Sequence, residues 1–84
     1  MDDDVEELEE ILEVLTDLLL DPSVPKNVKT KIQTMIDALE EDIEISLRVN
    51  KALSILDEIS DDNNLQSYTR TQIWNIASML ESLS

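Results

Sequence analysis

Residues 17–40 read DLLLDPSVPKNVKTKIQTMIDALE, and residues 58–81 read EISDDNNLQSYTRTQIWNIASMLE. Laid over each other, Asp21-Pro22-Ser23-Val24 falls on Asp62-Asn63-Asn64-Leu65. Thr30 then meets Thr71, Ile32 meets Ile73, Leu39 meets Leu80 and Glu40 meets Glu81, while Lys29 meets Arg70. Upstream the register holds, with Leu12 on Leu53, Val14 on Ile55, Leu15 on Leu56 and Leu18 on Ile59. An apolar stripe, a short polar break and a second apolar stripe, written twice, is the pattern of a duplicated helical hairpin. The expectation is an all-α, single-domain chain over 1–84, an antiparallel four-helix up-down-up-down bundle. Its hairpins run over approximately 4–42 and 43–83, related by an approximate two-fold axis.

Working outward, the first helix is expected over 4–20. Val5, Leu8, Leu12, Leu15 and Leu19 recur there at helical spacing, with Ile11 and Leu18 widening the stripe. Asp2 to Asp4 offer a cap, and Pro22 stops the helix because it lacks an amide donor. Ser23 is the candidate N-cap of the second helix and Pro25 falls in its first turn. Asp42 is the candidate N-cap of a third helix over 43–60, after a turn at Glu40-Glu41-Asp42. Asn64 takes the capping role for a fourth helix that carries Leu65, Thr69, Ile73, Ile76, Ala77 and Leu80. The repeat predicts Leu12, Leu15, Ile32, Leu39, Leu53, Leu56, Ile73 and Leu80 as the deepest side chains.

With 84 residues, a core is marginal unless helical packing is regular or a partner completes it, which leaves a homodimer open. The absence of cysteine excludes disulfides and thiol catalysis, and the absence of glycine removes phosphate-cradling loops. No apolar run is long enough to span a bilayer, and the acidic start does not read as a secretory signal, so no membrane contact and a cytoplasmic location are expected. The net charge of −14 is uneven. Residues 1–21 hold ten acids and no base, whereas 22–84 hold ten acids and six bases. That field disfavours direct nucleic-acid contact and favours a protein partner with a basic surface. A solvated solubility face or an adaptation to high salt explains the same charge.

The stretches DPSVPKNVK and LDEISDDNNLQSYTRTQIWNIASMLES resemble uncharacterised protein family 0147, a small archaeal family. The specific part is Arg70-Thr71-Gln72-Ile73-Trp74-Asn75 followed by Leu80-Glu81. The resemblance implies a four-helix fold and no established activity. Prolines are usual in both loops of that family; this chain has Pro22 and Pro25 in the first but Asn63 and Gln66 in the second.

No catalytic, cofactor or metal residue is expected. Without His or Cys, the usual general base and the best transition-metal ligands are missing. Asp61-Asp62-Asn63-Asn64 has a superficial likeness to a calcium loop, but it lacks the central Gly, and the twelfth position is Gln72. Thr71, like Thr30, reads as a helix residue bonding back to the preceding turn. Trp74 reads either as a wedge at the core periphery or as a partner anchor. Lys26, Lys29 and Arg70 stand at helix N-termini, against the dipole. They either pair with nearby acids or form, with Trp74, a mixed-charge contact surface. Two functions follow as expectations. One is a non-enzymatic acidic interaction module, an adaptor or small chaperone-like binder. The other is a factor in a nucleic-acid or translation-related process, working by RNA contact or acidic phosphate mimicry.

Overall fold

The computed structural model describes the backbone of residues 2–83 and the side chains of residues 6–83. The capping expected of Asp2 to Asp4 and the burial expected of Val5 lie outside the described side chains. Four helices follow one another: α1 (Asp2–Leu20), α2 (Lys26–Leu39), α3 (Ile45–Ser60) and α4 (Ser67–Leu83). Each packs on its neighbours in the order α1–α2, α2–α3, α3–α4, and α4 closes the ring on α1. Long-range polar contacts give the directions. Lys31 near the start of α2 pairs with Glu58 near the end of α3 at 3.8 Å. The Ser82 hydroxyl at the end of α4 donates to Glu7 at the start of α1 at 3.0 Å. Neighbours are therefore antiparallel, in a rod of 36 × 18 × 17 Å.

The core is one cluster with contributions from all four helices, and Val24 and Leu65 plug it from the loops. Leu15, Ile32, Leu39, Leu56, Ile73 and Leu80 are buried as the repeat predicts. Leu12 and Leu53 are not; both are only partly buried. Their places on the axis go to Ile11 and Ala52, both fully buried. Ile11, Leu15 and Leu18 follow at intervals of four and three, so they share the inward face, and Leu12 is rotated about 100° away toward a flank. Ala52 has the same relation to Leu53.

The helix starts differ from the expected caps. Pro25, with φ −59° and ψ 149°, is the N-cap of α2, and Glu44 is that of α3. Neither makes a side-chain cap bond. Ser23 instead donates its N–H and hydroxyl to Asp21 Oδ1, at 2.9 and 2.7 Å. Asn64 likewise donates its N–H to Asp62 Oδ1 at 2.8 Å, and α4 begins only at Ser67. Leu65 thus lies in the loop rather than on the α4 stripe. In both loops the aspartate forms an Asx turn, so the chain folds back before the helix starts and the serine or asparagine two residues on has no helical amide to cap. Asp42 falls in the irregular stretch between α2 and α3, two residues too early to cap.

Helix ends are solved without glycine. No described residue has positive φ, so the usual left-handed C-terminal turn is absent. The capping residues Glu40 and Asp61 stay near the helical region, at φ −97° and −81°. Arginines then satisfy the orphan carbonyls. Arg48 donates from Nη1 to the Leu39 carbonyl at 3.3 Å and from Nε to the Ile43 carbonyl at 2.8 Å. Arg70 donates from Nη1 to the Ser60 carbonyl at 2.9 Å and from Nη2 to the Asp62 carbonyl at 3.1 Å. A guanidinium against a helix C-terminus also complements the dipole.

Candidate functional site

The α1–α2 and α3–α4 loops meet at one end of the bundle, because the Asn27 side-chain amide on α2 donates to Asp62 Oδ2 at 2.8 Å. Asp62 thus accepts from both loops' elements. Its carboxyl is held below the usual carboxylate range, chiefly by the Asn64 N–H and then by the Asn27 amide, with Lys31 and Arg70 adding positive charge. Asp21 is lowered in the same way, by the Ser23 N–H first, then the Ser23 hydroxyl, with Lys29 nearby. Both carboxylates are structural hubs kept ionised by hydrogen bonds.

The four residues expected to contact a partner differ in their surroundings on this scaffold. Lys26 is exposed at the first turn of α2. Lys29 is half-buried and its charge acts on Asp21. Arg70 is folded back on the Ser60 carbonyl at the end of α3 and the Asp62 carbonyl in the loop, a role that neither acid pairing nor partner contact anticipated. Trp74 is 61% exposed, so much of its ring lies open to solvent. It follows Arg70 by one turn and lines a groove of about 180 Å³ between α3 and α4. Leu53, Leu56, Ile73 and Ala77 make the apolar part of that groove, and Asp57, Ser60 and Glu81 border it. Leu53 was misplaced by the repeat for this reason: its side chain forms groove wall instead of core.

Sequence reasoning missed Arg48 and the groove. An arginine three residues into a helix, after a glycine-free turn, is the available signal for a carbonyl clamp. The groove has none, since it arises from the spacing of two helices. Thr30 and Thr71 do bond back one turn, to the Lys26 and Ser67 carbonyls at 3.2 and 3.1 Å. No cluster of three or more potential metal ligands exists among the described residues, and no described helix is long and apolar enough to cross a membrane.

The family model for Uncharacterised protein family (UPF0147) matches residues 1–83. The chain belongs to that family. It is similar to a UPF0147 protein of Archaeoglobus fulgidus, 49% identical over 41 residues, which is 49% of this chain and 47% of that protein. A UPF0147 protein of Methanocaldococcus jannaschii is 52% identical over 42 residues, 50% of this chain and 45% of the other. These matches span just under half the length of each relative. Among solved structures, a protein from UPF0147 of Thermoplasma acidophilum is 34% identical, covers 100% of both chains and has a TM-score of 0.94. A crystal structure of a protein of unknown function has a TM-score of 0.90 at 36% identity, covering 95% of this chain and 92% of that one. None of these relatives is named for a catalytic activity. In this UPF0147 chain the fold is therefore the family fold, and the site must be read from its own residues.

Proposed function

We propose that this chain is a non-enzymatic acidic interaction module, an adaptor or small chaperone-like binder, that engages a protein with a basic surface in the cytoplasm. What supports the reading is how the structure uses its six bases. Arg48 and Arg70 are committed to helix-end and loop carbonyls, and Lys31 and Lys51 stand against Glu58 and Glu41. Lys29 stands beside Asp21. Positive charge is thus largely engaged by acids and backbone carbonyls of the chain itself, leaving little to neutralise phosphates. The acids point outward: Glu6, Glu9, Glu10, Glu13 and Asp17 line an open face of α1. Such a face steers a basic partner toward the bundle. Contact then centres on the two-loop end and the α3–α4 side, where exposed Trp74 supplies the rigid anchor, with Arg70 one turn away and Lys26 and Lys29 at the same end.

The test is retention of proteins from the native lysate on the immobilised chain, with and without nuclease and across salt concentrations. Retention should survive nuclease, weaken with salt, and fall when Glu9, Glu10 and Glu13 are all changed to Lys. Retention that disappears with nuclease would move the protein to a nucleic-acid process instead.

A further inference from the structure

The α3–α4 groove has a shape and charge that fit one kind of occupant. Its volume of about 180 Å³ is well below the roughly 300–1,000 Å³ of sites for drug-sized ligands. It suits a single long side chain. Leu53, Leu56, Ile73 and Ala77 offer an apolar lining, the carboxylates of Asp57 and Glu81 stand on its border, and the ring of Trp74 forms one wall. An apolar slot bordered by acids is complementary to an aliphatic stem that ends in a cation. Tryptophan is the best aromatic partner for such a cation, and guanidinium is the cation most often found against it. No hydrogen bond or ion pair from a described residue occupies the Asp57 side chain, so its charge remains available. The Ser60 hydroxyl is turned back to the Asp57 backbone carbonyl at 2.9 Å and does not compete for it.

We infer that the α3–α4 groove receives one arginine side chain of a partner protein, its stem on Leu53, Leu56 and Ala77, and its guanidinium between Trp74 and Asp57. This rests on the interaction-module reading and names the chemistry that the partner brings. The other open surfaces carry less. The acidic face of α1 has no lining from a second helix, and the groove between α2 and α3 is crossed by the Lys51–Glu41 pair at 3.0 Å.

Trp74 is the chain's single tryptophan, so its fluorescence reports the groove directly. The probes are two blocked hexapeptides of leucine and serine that differ in one central residue, arginine in one and its neutral isostere citrulline in the other. The arginine peptide should shift Trp74 emission saturably and protect it from acrylamide, and the citrulline peptide should do so at least about fivefold more weakly. Asp57→Asn should weaken the arginine peptide about two- to fivefold, the range of an exposed ion pair. Ala77→Leu, which fills the slot with an apolar group and keeps the helix, should abolish protection while the circular-dichroism melt stays cooperative. Equal binding of both peptides, or unaltered binding to Ala77→Leu, overturns the arginine slot. Lysate retention that still depends on Glu9, Glu10 and Glu13 in that case would leave the broader reading standing.

Discussion

Arg70 shows how one side chain at a candidate contact surface can also be a structural clamp. Its position at a helix start opposes the dipole of α4, but its guanidinium reaches the C-terminal end of α3, where the dipole favours it. Replacing Arg70 with Ala should therefore cost about 1–3 kcal/mol, from two charge-assisted bonds lost to part-buried carbonyls. Replacing Trp74 with Ala should stay within about 0.5 kcal/mol, as for an ordinary surface change. Urea melts of the two variants make the comparison, and a large loss at Trp74 would make it a wedge at the core periphery. Asp62 and Asp21 set the acid limb. Their folded pKa values lie below the ordinary aspartate value of 3.8, so their stabilisation is fully present above about pH 4 and is lost as pH falls through the folded values. The Asp62→Asn variant should be weaker at neutral pH and show a shallower loss of stability below pH 4, read from melts at stepped pH.

At the scale of elements, the decisive quantity is which face of each helix turns inward. Ile11 and Ala52 occupy the axis and Leu12 and Leu53 the flanks, at matching positions of the two halves. Ile11→Ala should cost about 2–5 kcal/mol, and Leu12→Ala clearly less, because a half-exposed leucine leaves a smaller cavity and loses less burial. Leu56→Ala, at a buried position, belongs with Ile11. A lower denaturant midpoint for Leu12→Ala than for Ile11→Ala would mean a rotated helix. The repeat reached the correct stripes but not the correct rotation, since a stripe as wide as Ile11-Leu12-Leu15-Leu18-Leu19 admits two adjacent inward directions. The loops show the complementary case. Asp21 and Asp62 make the same Asx turn although the prolines of the first loop are replaced by Asn63 and Gln66 in the second. The aspartate, rather than the proline, is what the two turns share.

For the molecule as a whole, a charge of −14 on 84 residues is a large self-repulsion. Raising the ionic strength from about 0.01 M to about 0.15 M shortens the screening length from about 30 Å to about 8 Å, less than half the bundle width. The thermal midpoint should rise over that interval, and a fall would mean that the few ion pairs outweigh the repulsion. The same screening would weaken retention of a basic partner, so stability and binding should respond to salt in opposite directions. That opposition separates a functional acidic face from one that serves solubility alone.

Four helices, their stripes, their loops and the sign of the surface were written in the sequence, because these depend on residue spacing, proline, aspartate and charge along the chain. Thr30 and Thr71 were legible too, since their bonds go to the preceding turn. The tertiary structure decided what depends on separation across the bundle. It rotated Leu53 out of the core and into a groove wall, and it brought Arg48 and Arg70 onto carbonyls nine and ten residues away along the chain. It also left Trp74 in the open beside Asp57. A stripe specifies which residues avoid water, but only the crossing of α3 with α4 specifies where a gap between them remains.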